Sequence, residues 1–173
     1  MKCIRILLCF LLLAVHDSCI CEDNETDVTG PELSIGDKLP NFTVTMNDGS
    51  IVTTADLAST CSIVFFFHTS CPDCQKELPI LQRLIEHPLA SVRIIGISRS
   101  EGAESIQNYW EEHGLSLPFS AQKDAAVYQL FARSIVPRVY VVDRQLTIRA
   151  LFTDNPIATY EELCDAVENA EKN

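Results

Sequence analysis

Apolar and polar residues follow one another along this chain in short patterns that predict a series of strands and helices. The run Ser62–Phe67 is almost wholly apolar, and so are residues 92–98 and the segment Arg138–Val142. Continuous apolar runs of this length, rich in Val, Ile and Phe, are typical of strands buried on both faces of a sheet. A partner strand at residues 146–152 follows the third run after a turn. We expect these four segments to form the central sheet.

A shorter hairpin is predicted ahead of the first buried strand. Residues 42–46 alternate apolar and polar positions, as a half-buried strand does, and residues 51–53 resume that pattern. The turn between them contains Gly49, which can adopt a positive φ at little cost. Residues 54–58 fit a single helical turn.

Helical periodicity marks four further segments, at residues 74–85, 104–113, 124–131 and 157–170. Pro88 stops the first, Gly114 ends the second, Asp124 is the expected N-cap of the third, and Asn155-Pro156 starts the last. Strands that alternate with helices, then a hairpin and a closing helix, predict a single α/β domain. We expect a mixed sheet covered on both faces.

Two cysteines lie where the first central strand gives way to a helix, in the order Cys71-Pro72-Asp73-Cys74. A cysteine at a helix N-terminus is surrounded by unpaired N–H groups and the positive end of the helix dipole, both of which favour its thiolate. Two cysteines at this spacing can close a disulfide and open it again with little backbone movement. The motif therefore predicts a site for thiol–disulfide exchange.

Two other uses of the cysteine pair are weaker. A structural zinc site needs four ligands, and neither a second Cys-x-x-Cys nor a closely spaced His pair follows. A purely structural disulfide across three residues would close almost no loop and constrain the unfolded chain little. We expect no metal and no cofactor.

The first residues have the pattern of a secretory signal peptide. Lys2 and Arg5 precede an apolar run at residues 6–15 that is too short to span a bilayer. We expect a leader over residues 1–18, the alternative being a buried N-terminal strand. The acidic, non-periodic stretch at residues 19–33 then predicts a flexible tether, with the folded domain at residues 34–173.

A lipid anchor is a further expectation at the end of the leader. Ser18 directly precedes Cys19, an order similar to the end of a bacterial lipoprotein signal, in which the cysteine becomes the lipidated first residue. His16 and Asp17 match that signal poorly, so ordinary cleavage near Ser18 stays open. A lipid on Cys19 would hold the domain at a membrane without a transmembrane helix.

The net charge and the remaining cysteines bear on the partner class and the location of the protein. The chain has 24 acidic against 13 basic residues, a net charge of −11, which argues against a nucleic-acid partner. Eight cysteines together with a leader indicate an exported protein of the cell envelope or periplasm, where disulfides persist. We interpret Cys61 and Cys164 as small buried residues, with a second bridge as the alternative.

These features together resemble the thioredoxin-like superfamily, and within it the membrane-tethered TlpA/ResA/DsbE group, over residues 34–171. Besides the cysteine pair, Pro79 is similar to the helix proline of thioredoxins, and Val136-Pro137 is similar to their cis-proline. The opening segment and hairpin resemble an extension shared with peroxiredoxin-like, AhpC/TSA-related proteins. The resemblance implies a thioredoxin fold, with protein thiols and disulfides as substrates and a membrane or thioredoxin-like electron donor.

The resemblance also implies roles for individual residues. Cys71 would attack a partner disulfide and Cys74 would resolve the mixed disulfide, while Pro72, Asp73, Val136 and Pro137 would face the substrate. Glu77, one helical turn after Cys74, would relay a proton; the alternative is an exposed residue with no role. This sequence departs from thioredoxin at Phe65, Ser70 and Arg138, where thioredoxins commonly have an Asp, an aromatic residue and a Thr.

Asp73 also bears on the direction of the reaction. Its negative charge disfavours a thiolate at Cys71, and a less stabilised reduced form makes a reductant or disulfide shuttle rather than a strong oxidant. His68, if protonated, would act in the opposite sense. Two other functions stay open: a peroxiredoxin-like thiol peroxidase, whose motif would need a Thr at position 68, and a non-enzymatic binding module on the same scaffold.

Overall fold

The computed structural model describes residues 30–86 and 92–172. The expected leader at 1–18, the lipidation site at Cys19, most of the tether and the stop at Pro88 lie outside these residues. None of the helices in the described ranges is long and apolar enough to cross a membrane.

A two-stranded hairpin opens the described chain, formed by β1 (Thr43–Thr45) and β2 (Ile51–Thr53) and followed by a 3-10 turn at Thr54–Leu57. The central sheet contains β3 (Ser62–Phe67), β4 (Arg93–Ser98), β5 (Phe119–Ser120), β6 (Arg138–Val142) and β7 (Ile148–Phe152). The helices are α1 (Pro72–Glu86), α2 (Ala103–His113) and α3 (Tyr160–Glu171). The strands are ordered β5-β4-β3-β6-β7.

Strand β3 lies at the centre of the sheet, parallel to β4 and antiparallel to β6. All six of its residues are buried, and they alternate between two cores. Phe65 and Phe67 pack on one face with residues of α1, α2 and α3, whereas Val64 and Phe66 pack on the other with the hairpin. The mixed sheet of a thioredoxin fold, predicted from the sequence, is confirmed.

The prediction of a helix over residues 124–131 is wrong, because only a 3-10 turn forms there, at Tyr128–Leu130. The carboxylate of Asp124 does accept the expected capping bond, 2.9 Å from the N–H of Ala126, but the chain continues from it only as this short turn. The last helix begins at Tyr160 rather than near residue 157. Thr159 caps it, and Glu162 completes the capping box.

Candidate active site

The chain passes from β3 to α1 through a short loop that ends at Cys71. The N–H of Cys71 donates a 3.0 Å hydrogen bond to the carbonyl of His68, and the N–H of Gln75 donates to the carbonyl of Cys71. Pro72 occupies the first position of α1, where a missing N–H costs nothing. Cys71 therefore directly precedes the helix, and Cys74 lies in its first turn, as the sequence predicts.

Cys71 faces a second segment that is distant in sequence. Its Sγ lies 3.3 Å from the carbonyl oxygen of Val136 and donates to it across 65 positions of the chain. The peptide bond between Val136 and Pro137 is cis, which confirms the geometry that the resemblance implied. Val136 is half-buried and Pro137 is buried. Whether a substrate binds there stays a prediction.

Cys74 and Glu77 are buried together on the inner side of α1. Cys74 is fully buried, and burial raises the pKa of its thiol, an effect to which the neighbouring Cys71 adds. Glu77 is 2% exposed, so it is not the exposed helix residue of the alternative interpretation, while its role stays a prediction. Burial raises the pKa of Glu77 to about 7, and the nearby backbone amide of Ala158 offsets only part of that rise.

The carboxylate of Glu77 is unusual for a buried acid. Neither of its oxygens meets the geometry of a hydrogen bond to any partner among the described residues. Buried polar groups are nearly always paired, and those that are not commonly have a chemical role. Cys74 and Glu77 are thus a thiol and a carboxyl buried one helical turn apart on α1, and proton transfer between them stays a prediction.

Asp73 is less isolated than the sequence suggests. Lys76 Nζ lies 2.7 Å from Asp73 Oδ1, and both side chains are substantially exposed. This pairing, together with solvent, weakens the effect of the Asp73 charge on the helix N-terminus.

Glu101 is a site residue that sequence reasoning missed. It follows β4, and its buried carboxylate accepts hydrogen bonds from the backbone N–H and the hydroxyl of Thr69, and from Ser105 Oγ. Burial alone would raise its pKa, but these hydrogen bonds outweigh burial and hold the pKa below its ordinary value. A signal existed, because an acid directly after a parallel strand beside β3 must lie at the edge of the sheet that carries Cys71.

His68 belongs to the same cluster. Its Nδ1 lies 3.8 Å from Glu101 Oε2 and 2.9 Å from Ser70 Oγ, and its side chain is one-third exposed. The ring of His68 therefore reaches the surface and also lies near a carboxylate.

The two remaining cysteines in the described ranges differ in burial. Cys61 is fully buried beneath α3, as predicted, while Cys164 is only half-buried on α3. In the same ranges, no three His, Cys, Asp or Glu side chains lie together in a way that could hold a metal ion.

Comparison with known proteins agrees with this geometry. The AhpC/TSA family matches residues 35–151. Curated relatives include the thiol-disulfide oxidoreductase ResA of Bacillus anthracis, 25% identical over 114 residues (65% of this chain and 66% of that protein). ResA of Bacillus subtilis strain 168 is 23% identical over 112 residues (64% and 63%). The chain thus spans slightly less than two thirds of the length of these relatives.

Solved structures share the fold. A proposed protein disulfide isomerase from Bacteroides thetaiotaomicron has a TM-score of 0.74 and 26% identity, covering 83% of this chain and 94% of that one. A thio-disulfide isomerase from Thermus thermophilus has a TM-score of 0.65 and 27% identity, with coverage of 80% and 97%. A peroxidoxin from Mycobacterium tuberculosis, 15% identical with a TM-score of 0.67 over 81% and 99% of the chains, shares the fold alone.

Proposed function

The chain belongs to the AhpC/TSA family, and we propose that it is a thiol–disulfide oxidoreductase acting through Cys71 and Cys74. One observation carries this proposal: two cysteines one helical turn apart differ sharply in exposure. Cys71 is half-buried at the start of α1 and opposite the Val136 carbonyl, whereas Cys74 is fully buried behind it. A partner can reach the first sulfur but not the second. The ResA and disulfide-isomerase relatives support the same chemistry.

Reduction of a protein disulfide proceeds in two steps. The Cys71 thiolate attacks one sulfur of the substrate disulfide, forming a mixed disulfide and releasing the other substrate sulfur as a thiolate, which takes up a proton. Cys74 then loses its proton and attacks Cys71, releasing the second substrate thiolate and closing the Cys71–Cys74 disulfide. Two electrons pass from the cysteine pair to the substrate.

Glu77 would supply the proton acceptor for the second step. The Cys74 thiol is held protonated by burial, so it needs a base before it can attack. A carboxyl whose pKa is about 7 is ionised in about half of the molecules at neutral pH, which suits a group that must both take and return a proton.

Substrate, direction and location form the finer part of the proposal. Protein disulfides are the expected substrates, with the backbone of Val136 and Pro137 beside them and Pro72 and Asp73 at the rim. Asp73 favours a reductant, which a membrane or thioredoxin-like donor would re-reduce. The leader at 1–18 and a lipid on Cys19 would place the domain in the cell envelope.

Trapping the mixed disulfide tests the exchange chemistry. Cys74→Ser should accumulate a covalent adduct with a protein disulfide through Cys71, visible by mass, whereas Cys71→Ser should form none. Equilibration of the wild-type pair with glutathione should give a potential near that of thioredoxin, about −270 mV. A value near −120 mV would indicate an oxidant instead.

The same protein samples also test the two alternative functions, a thiol peroxidase and a non-enzymatic binding module. Rapid consumption of peroxide by the wild-type domain would favour a thiol peroxidase. Full activity of both serine variants in the cell would favour a binding module and contradict the exchange mechanism.

A further inference from the structure

Three successive carbonyl groups beside the candidate active site are each bound by a different side chain. The carbonyl of Ser134 accepts from Nε and Nη2 of Arg138, at 3.2 and 3.1 Å. The carbonyl of Ile135 accepts a 2.6 Å hydrogen bond from the hydroxyl of Tyr128. The carbonyl of Val136 accepts from Cys71 Sγ. The direction of the third carbonyl therefore depends on how the first two are held.

This backbone would not adopt its shape unaided. Ile135 has a φ of +74°, in the left-handed region that a β-branched residue strongly disfavours, and its side chain is left 45% exposed. Such a conformation persists only where the surrounding contacts fix it. The contacts that do so here are those of Arg138 and Tyr128, on either side of the strained residue.

Arg138 is in turn held by Glu32. The guanidinium of Arg138 is almost completely buried and forms an ion pair with Glu32, whose side chain is 42% exposed. A buried cation without a partner is strongly destabilising, so Glu32 sets where the guanidinium can lie. Glu32 also accepts from the N–H of Arg133, and the N–H of Leu33 donates to Phe131, which fastens this part of the expected tether along the loop.

We propose that Arg138, held by Glu32, is a positioning residue that aims the Val136 carbonyl at the backbone of a peptide substrate. This inference rests on the proposed exchange reaction and deepens it. A peptide disulfide must lay its chain beside Cys71 while the thiolate attacks. A thiolate no longer donates to the Val136 carbonyl, which is then the acceptor for an N–H of that chain. A small disulfide without a peptide backbone makes no use of that acceptor. Arg138 therefore determines the preference for peptide over small disulfides.

Two probes with the same leaving group test this. One is 5,5′-dithiobis(2-nitrobenzoate), and the other is a short peptide whose central cysteine carries the same 2-nitro-5-thiobenzoate group. Attack by Cys71 releases the same coloured thiolate from both, so their rate constants are directly comparable. The variants are Arg138→Met, the conservative Arg138→Lys, and Glu32→Ala. Arg133→Ala is the matched control, because that side chain contacts Gly30 and none of the three carbonyls.

We expect Arg138→Met to lower the rate constant for the peptide about tenfold or more and that for the small disulfide less than about twofold. The peptide rate constant of Arg138→Lys should lie between those of the wild type and Arg138→Met. Glu32→Ala should also lower the peptide rate constant, and Arg133→Ala should match the wild type with both probes. If Arg138→Met does not fold, Arg138→Lys still decides, since it keeps a cation beside Glu32 but loses the fork that binds the Ser134 carbonyl.

Equal losses for both probes, or none for either, would overturn the inference and leave the exchange reaction intact. A wild-type protein that reacts with neither probe would instead overturn the proposed function itself.

Discussion

The carboxylate of Glu101 accepts a 2.8 Å hydrogen bond from the backbone N–H of Thr69, two residues before Cys71, and a second hydrogen bond from the Thr69 hydroxyl. The carbonyl of Thr69 accepts in turn from Gln75 Nε2 of α1, at 2.8 Å. The loop that presents Cys71 is thus tied on one side to the end of β4 and on the other to its own helix. No local sequence pattern specifies the first of these ties.

Glu101→Gln should therefore destabilise the protein at neutral pH by roughly 1–3 kcal/mol, because charged hydrogen bonds to a buried loop are lost. Since the folded protein holds the pKa of Glu101 below its unfolded value, this contribution is present above the ordinary value of 4.5 and is lost as the pH falls through the lower, folded pKa. Urea unfolding of the wild type and Glu101→Gln at several pH values measures this contribution. The exposed Glu104, three residues further along in the first turn of α2, provides the control as Glu104→Gln. Equal effects of both variants would contradict the assignment.

Glu77 should give the free energy of unfolding the opposite dependence on pH. Its pKa is raised to about 7 in the folded protein, so the folded state binds more protons than the unfolded state between the ordinary value of 4.5 and about 7. The free energy of unfolding should fall across that window, by about 3 kcal/mol.

Glu77→Gln removes this titration and should flatten the pH profile. The variant should be more stable than the wild type at pH values above the folded pKa of about 7. Thermal or urea unfolding checks it, with the exposed Glu86→Gln on the same helix as control. If the stability of the wild type and of Glu77→Gln changed with pH in the same way, the prediction would be wrong.

The same substitution should slow the second step of the exchange reaction. Without an acceptor for the Cys74 proton, resolution of the mixed disulfide should be about a hundredfold slower near neutral pH. Its rate should then rise only at higher pH, where solvent base removes the proton. Acid quenching followed by mass analysis reports the lifetime of the mixed disulfide. Formation of that species, which depends on Cys71, should change little, and an unchanged lifetime would rule out the relay.

Asp73 and Lys76 should shift the redox potential in opposite directions. Asp73→Asn removes a charge that opposes the Cys71 thiolate, so the reduced form gains stability and the potential rises. Lys76→Gln removes the partner of Asp73 and should lower it. Because the pair is exposed, each shift should be small, about 10–20 mV. Equilibration with glutathione measures both, and shifts of the same sign would contradict the argument.

Gly96 allows a test of the core beneath the site. A Cβ at this position of β4 would meet the ring of Phe65 at 2.5 to 3.1 Å. Phe65 is fully buried and packs against Phe67, so its ring has little room to move. Gly96→Ala should cost about 1–3 kcal/mol of stability by overpacking. Gly102→Ala, where nothing lies within 4 Å of the added Cβ, should leave stability nearly unchanged. A larger loss of stability for Gly102→Ala than for Gly96→Ala would contradict the argument that the Phe65 ring requires a glycine at position 96.

Several elements could be predicted from the sequence because their causes are local. The apolar run of β3, the glycine that ends α2 and the cysteines at the start of α1 each depend on residues within one or two turns of chain. The cis bond before Pro137 was expected by resemblance. At Asp124 the expected capping bond forms, yet the helix predicted after it does not, so this local signal is not sufficient.

The sequence by itself determined that this is an α/β domain with an exchange-type cysteine pair at a strand–helix junction, because hydrophobic periodicity, capping and motif spacing act over a few residues. Only the tertiary structure decided that Glu77 is buried, that Glu101 accepts from Thr69, and that Arg138 pairs with Glu32 while it donates to the Ser134 carbonyl. These relationships join segments distant in sequence, and they exist because β4 and β6 flank β3 in the sheet. A local pattern does not specify which strands become neighbours; the packing of the whole domain does.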